Sequence, residues 1–381
     1  MNKTDIVTNK VVKHEALTFD DVLLLPGYAD FKRADVDLTT VLHKDIVLKL
    51  PIISSPMDTV TETKMAICMA QAGCLGILHR NSTVASQAQM VTEIKKIKGT
   101  GRSANDKKGH LLVGAAVGAG SDLEERVAAL TKAKVDVLVI DSGHGYTSFV
   151  AESVKRIKKI VSRQVVMAGN IATFDGALAL IKAGADILRV GMGPGSICTT
   201  RIITGMGVPQ LSAVAAAVRA TENTSVTVVA DGGIKQIGDM AKALAFGAQA
   251  VMLGSLLARF NESPGEIVEM KGKKFKSYRG MGSIAAMKKG GAERYGQSKD
   301  TQEKKLIAEG VEGLVEYQGA AGEYLNQVSG SLRSSFYYIG ARNIPEFFTK
   351  SRVIKISQAG LYESHPHSIV MTDAGGNYNT K

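Results

Sequence analysis

The chain has 381 residues, of which 45% are hydrophobic and 22% charged, with a formal net charge of +11. That length suits one large α/β domain or two smaller ones, and no apolar run approaches the ~18–20 residues of a membrane span. Cys68, Cys74 and Cys198 are an odd number without zinc-type Cys/His spacing, which argues against a disulfide framework and for a reducing, cytoplasmic setting.

Short β-branched runs alternate with amphipathic segments along the chain. The first predicted strand, 51–55, exits through Ser55-Pro56-Met57-Asp58 into a helix over 62–72. Strand 75–78 and helix 86–96 follow, then a polar joint at 99–110. The third unit pairs strand 111–116 with helix 123–133. Strand 135–140 exits through Asp141-Ser142-Gly143-His144-Gly145 into helix 146–161, and strand 165–168 through Gly169-Asn170 into helix 174–183. Strand 187–190 feeds the loop Gly191-Met192-Gly193-Pro194-Gly195-Ser196-Ile197-Cys198-Thr199-Thr200-Arg201, and helix 210–220 comes next. Strand 226–230 exits through Asp231-Gly232-Gly233 into helix 235–245, and strand 250–253 through Gly254-Ser255. Glycines 73, 184 and 247 stand where helices stop. From about residue 260 the alternation ends. Residues 271–282 read as a turn, a strand and a glycine-rich loop, and 283–315, low in apolar content, as a mobile flap. Glu363-Ser364-His365-Pro366-His367 reads as a surface turn.

Eight strand–helix units predict an α/β fold, a closed (β/α)8 TIM barrel making a single domain over 1–381. An open doubly wound sheet is the alternative, and no Gly-x-Gly-x-x-Gly follows the first strand to support it. The polar residues gather at the C-terminal ends of strands, where barrel chemistry sits. Cys198 is the candidate nucleophile. An arbitrary free cysteine is usually a small buried hydrophobe, as Cys68 and Cys74 are read here, but polar glycine-rich flanks reverse that for Cys198. The turns Asp231-Gly232-Gly233 and Gly254-Ser255, with the Ser196 hydroxyl, predict a phosphate site. The basic clusters at 95–98, 107–108, 155–159 and 271–276 are not interleaved with aromatics, and the chain has no Trp. Nucleic acid is not expected; the charge suits an anionic small substrate or simply a basic surface, with most of these lysines on solvated helix faces or loop tips.

Five segments together resemble the IMP dehydrogenase family: Phe19-Asp20-Asp21-Val22-Leu23-Leu24-Leu25-Pro26, Ser54-Ser55-Pro56-Met57-Asp58-Thr59-Val60-Thr61-Glu62, the cysteine loop, Tyr278-Arg279-Gly280-Met281-Gly282-Ser283, and Glu363-Ser364-His365-Pro366-His367. The resemblance spans nearly the whole chain. It implies a homotetrameric barrel that oxidises inosine monophosphate (IMP) to xanthosine monophosphate (XMP) with NAD+, on the route to guanine nucleotides. Cys198 matches the nucleophile on purine C2, Thr200 a water-activating residue, and Arg294 with Tyr295 the catalytic pair of the flap. Ser55, Ser196, Asp231, Gly232, Gly233, Gly254, Ser255 and Tyr278 match phosphate and ribose contacts. Gly280, Met281, Gly282 and Glu309 match purine contacts. Asp141, Ser142, Asn170, Arg189 and Gly191 match the dinucleotide side. The resemblance also implies a potassium ion on carbonyls of Gly193, Gly195 and Cys198, with Glu363, Ser364 and His365 contributed by a neighbouring subunit.

Three departures stand out. Where most members insert a paired CBS regulatory module, this chain has only the joint at 99–110. Gly143 replaces a usual serine or alanine, and Gly296 an aromatic. GMP reductases share Cys198-Thr199-Thr200, but Arg294-Tyr295 and Glu309-Gly310 favour the dehydrogenase. A catalytically silent nucleotide- or RNA-binding barrel is the remaining alternative, and the intact Cys198, Thr200, Arg294 and Tyr295 argue against it.

Overall fold

Eight parallel strands close into a barrel: β1 Ile52–Ser54, β2 Leu75–Leu78, β3 Gly114–Val117, β4 Val137–Asp141, β5 Val165–Ile171, β6 Ile187–Val190, β7 Thr227–Asp231 and β8 Ala250–Leu253. The coordinates are a computed structural model describing residues 10–12, 15–297 and 301–379. Of the single domain and flap expected above, 1–9, 13–14, 298–300 and 380–381 lie outside the described residues. Each strand pairs with its sequence neighbour, and β8 pairs with β1 to complete the circle. Among the described residues no helix is long and apolar enough to cross a membrane.

Seven helices cover the strands as expected: α1 Thr63–Gln71, α2 Val84–Lys95, α3 Leu123–Lys132, α4 Ser148–Ile160, α5 Phe174–Ala183, α6 Gln210–Ala220 and α7 Ile237–Ala245. The eighth, α8 Ala321–Ile339, comes only after a long excursion from β8. Its buried residues Tyr324, Leu325, Val328, Leu332, Phe336 and Ile339 keep helical spacing. Glycine, serine and asparagine dilute that stripe, which explains why the sequence reading ends its alternation at 260.

Strands covered by helices are buried on both faces, so their two faces serve two cores. In β4, Val137 and Val139 join the barrel interior, while Leu138 and Ile140 pack under the helices. A hairpin, Thr40–His43 with Ile46–Leu48, plugs the end where the strands begin, placing Leu42, Ile46 and Leu48 in the interior cluster. The Thr227 hydroxyl donates to Leu42 O at 2.7 Å and the Thr40 hydroxyl to Gln249 O at 2.7 Å, pinning the plug to β7 and β8.

The third strand begins later than predicted because its leading residues pair with the joint. Leu111 N donates to Ile97 O at 3.2 Å and Leu112 N to Ala104 O at 2.9 Å. Antiparallel bridges join Lys98 to His110 and Asn105 to Leu111. The Lys95 ammonium lies 2.8 Å from Asp106 and 2.9 Å from Asp136, anchoring the joint to the barrel wall. Over the other end of the barrel lies a three-stranded sheet, β9 Ile267–Met270, β10 Lys273–Arg279 and β11 Glu312–Glu316. The last residues of the expected flap, 312–315, therefore belong to β11, paired along β10.

Candidate active site

The two-residue period carries past the strand ends. Inward positions Ile53, Ile77, Val139, Ile187, Val229 and Met252 are followed two residues on by Ser55, His79, Asp141, Arg189, Asp231 and Gly254. Polar side chains from five strands, and the bare backbone of Gly254 from a sixth, thus reach one mouth of the barrel.

Arg189 lies at their centre and is buried. Its Nη1 donates to Asp141 Oδ1 at 2.5 Å and its Nε to Asp231 Oδ2 at 2.8 Å. Asn170 Nδ2 donates to the same Asp231 oxygen at 2.7 Å and to Gly191 O at 2.8 Å. Asp141 Oδ2 and Asn170 Oδ1 are buried with no hydrogen-bond partner among the described residues. Two acceptors are left for donors such as ribose hydroxyls.

The cysteine loop sits beside them. The Cys198 thiol donates to Thr200 Oγ1 at 3.2 Å, and the Thr200 hydroxyl donates to Glu309 Oε2 at 2.8 Å. Thiol, hydroxyl and carboxylate form one proton path. The backbone fixes it: Thr199 N donates to Glu309 O at 3.0 Å, Val311 N to Ile197 O at 2.9 Å, and Glu309 N to Gly282 O at 3.0 Å. Residues 280–282, 309–311 and the cysteine loop are therefore stitched together. Arg201 holds the base of the loop, with Nε donating to Met192 O at 3.0 Å and Nη2 to Val208 O at 2.6 Å.

Part of the segment expected to be a flap packs on this cluster. A 3₁₀ turn, Gly291–Tyr295, carries Arg294 and Tyr295 and stops at Gly296 with φ +68°. Arg294 forms an ion pair with Asp141, and Gly143 N donates to Arg294 O at 2.9 Å. A Cβ on Gly143 would stand 3.2 Å from Arg294 O and from the Tyr295 ring, so the bare backbone leaves room for this turn. Burial lowers the Arg294 guanidinium below the usual arginine range; Tyr295 opposes this and the Arg80 charge adds to it. Burial likewise raises the Tyr295 phenol, against the pull of Arg294.

These elements enclose a cavity of about 550 Å³. Of the residues expected from sequence, Ser55, Asn170, Arg189, Gly191, Gly193, Gly195, Ser196, Cys198, Asp231, Gly232, Gly233, Gly254, Ser255, Tyr278, Gly280, Met281, Arg294, Tyr295 and Glu309 line it. Thr200, Asp141, Ser142 and Gly282 are not among that lining, nor are Glu363, Ser364 and His365, which are exposed. Burial pushes the Tyr278 phenol up, only partly offset by its hydrogen bond with Ser196. Sequence reasoning missed the exit of β2, His79-Arg80-Asn81, although the rule that found the other exits applies to it. His79 Nε2 lies 2.9 Å from Glu62 Oε1, and Asn81 Nδ2 donates to Asp58 Oδ2 at 3.1 Å. Asp58 in turn pairs with Arg279 at 2.5 Å.

Residues 16–367 match the family model described as IMP dehydrogenase / GMP reductase domain. The chain is 43% identical over 399 residues to an inosine-5′-monophosphate dehydrogenase of Borreliella burgdorferi, covering 95% of this chain and 98% of the relative. It is 38% identical over 482 residues to that of Escherichia coli K12 (96% and 99% covered) and 37% over 481 residues to that of Aquifex aeolicus (96% and 98% covered). The two longer alignments exceed the 381 residues of this chain, so those relatives carry a segment with no counterpart here.

Proposed function

The chain belongs to the IMP dehydrogenase / GMP reductase family, and on that premise we propose that it oxidises IMP to XMP, reducing NAD+ to NADH and consuming one water. One observation carries the choice within the family. The thiol of Cys198 shares its cavity with Arg294, Tyr295 and Glu309, so nucleophile and water-handling groups serve the same atom. GMP reductase, which releases ammonia without hydrolysis, has no use for that second set.

The chemistry follows from the contacts. The Cys198 proton leaves along Thr200 to Glu309, and the sulfur bonds to purine C2. The hydride at C2 leaves to NAD+, giving NADH and a thioimidate on Cys198. Water then adds to C2, the C–S bond breaks, and XMP departs with one proton released overall. Arg294, whose hold on its proton is loosened first by burial, takes the proton of the attacking water in its neutral form, with the Tyr295 phenol beside it. Asp231 suits the substrate ribose; Gly232, Gly233, Gly254, Ser255 and Ser196 suit its phosphate.

The NAD+ ribose fits Asp141 Oδ2 and Asn170 Oδ1, with Ser142, Arg189 and Gly191 around them. Asp141 also receives Arg294, so dinucleotide and flap take turns on one carboxylate. Potassium fits the cysteine loop: the carbonyls of Gly193 and Cys198 accept no hydrogen bond among the described residues, and Gly195 O accepts one, from Cys198 N. The ion would order the loop that presents the thiol. We place Glu363, Ser364 and His365 on the cation site of a neighbour in a homotetramer, in keeping with exposed Tyr362, Ile369 and Val370 beside them. The three free cysteines suit a cytoplasmic setting.

An absorbance assay tests the reading. NADH should accumulate with IMP and NAD+. Consumption of NADPH with GMP, and no response to IMP, would replace the dehydrogenase by the reductase.

A further inference from the structure

We propose that Arg80 is a positioning residue for the flap, seating Arg294 through an ion pair with Glu293. The inference rests on reading residues 283–315 as a flap that closes once the dinucleotide has left. Arg80 follows β2, and its side chain is only 6% exposed. Its Nη1 lies 3.4 Å from Glu293 Oε2, and among the described residues no other carboxylate is within ion-pair distance of it. Glu293 immediately precedes Arg294 on the same 3₁₀ turn. Holding one therefore fixes where the other points.

The barrel wall is shaped for this contact. A Cβ on Gly120 would stand 2.9 Å from Glu293 Oε2, and one on Gly118 would stand 3.0 Å from Arg80 Nη1. The next residue, Asn81, donates to Ala286 O at 3.3 Å, so the β2 exit grips the flap at two points. When the flap lifts, the buried guanidinium loses its carboxylate, a cost borne only by the open state. The Arg80 charge also faces Arg294 and weakens that residue's hold on a proton, while Glu293 steadies the Arg80 charge against the effect of burial.

Because flap and dinucleotide compete for Asp141, weakening the latch has opposite effects on the two. A partly exposed pair is worth roughly 1 kcal/mol, or about fivefold in the closed-to-open ratio. In Arg80→Met and in Glu293→Gln, the first-turnover burst of NADH should be unchanged. Steady-state turnover should fall by up to about fivefold, and NADH should bind the XMP-loaded enzyme tighter by up to the same factor. The double variant should be no worse than either single one, and Arg80→Lys should recover most of the loss. Loss of the burst together with turnover, or weaker NADH binding, would mark Arg80 as merely structural and overturn the proposal. Wild-type values throughout would overturn it as well. Hydrogen exchange of the amides at 284–296 reads docking without any turnover: faster exchange in both single variants supports the latch, and equal exchange rejects it. An enzyme that forms no NADH from IMP would defeat the functional reading instead, and the exchange result would still decide the latch.

Discussion

Replacing Arg189 by methionine tests the architecture of the barrel mouth most directly. The guanidinium joins two carboxylates, at 2.5 Å to Asp141 and 2.8 Å to Asp231, with its side chain 3% exposed. Methionine fills similar length without charge, leaving two acids facing one another. Removing one partner of a buried pair costs about 3–5 kcal/mol. The lower end applies here, because Arg294 still reaches Asp141 and Asn170 still donates to Asp231. At ~2.1 cal/mol/K per residue, unfolding 381 residues carries an entropy near ~0.8 kcal/mol/K, so a loss of ~3 kcal/mol lowers the melting temperature by about 4 °C. Scanning calorimetry of the two proteins reads this. Adding Asp231→Asn removes one uncompensated charge and should return part of the loss. A shift below about 1 °C, or a double variant less stable than the single one, would refute the claim that Arg189 acts as the electrostatic keystone.

Cys198→Ala should end NADH formation while IMP still raises the melting temperature, and mass spectrometry of the wild type trapped in turnover should find a nucleotide adduct that the variant lacks. Gly143→Ala puts a methyl 3.2 Å from Arg294 O and the Tyr295 ring; the flap must shift by a few tenths of an ångström, slowing hydrolysis several-fold while sparing the NADH burst in rapid mixing. Burial alone would raise the Asp106 carboxyl, but Lys95 and the N–H groups of His110 and Lys108 bring it down to about 2. A folded value below the ordinary 3.8 stabilises the joint above about pH 4, and that share is lost as pH falls toward 2. In denaturant titrations, the stability gap between wild type and Asp106→Asn should narrow over that interval.

The barrel was legible because each strand is a short β-branched run closed by small or polar residues, and the period of two then delivers Asp141, Arg189 and Asp231 to one mouth. The Cys198 loop stood out for the same reason: its composition contradicts burial. Apart from the β2 exit His79-Arg80-Asn81, which the strand-exit rule covers, what escaped notice lacks a local signature. The plug hairpin gains meaning only when Leu42 enters a cavity formed by strands far along the chain. Arg189 was named only through the family resemblance, and its bridging of two acids went unseen because they come from β4 and β7. The pairing of Arg80 with Glu293 spans 213 positions, which no motif spacing encodes.

The joint between the second and third units has a consequence for how such barrels gain or shed parts. Its two sides run antiparallel, with Lys98 bridged to His110 and Gly99 N donating to Gly109 O at 3.0 Å. Bridged backbones of this kind keep their Cα atoms about 5 Å apart. Any folded unit whose own ends emerge side by side could be spliced at that doorway, and loop closure would grow only slowly with its size. Because the doorway stands on the wall anchored by Lys95 and away from the mouth that holds Cys198, grafts there would leave the chemistry untouched and add only a handle on it.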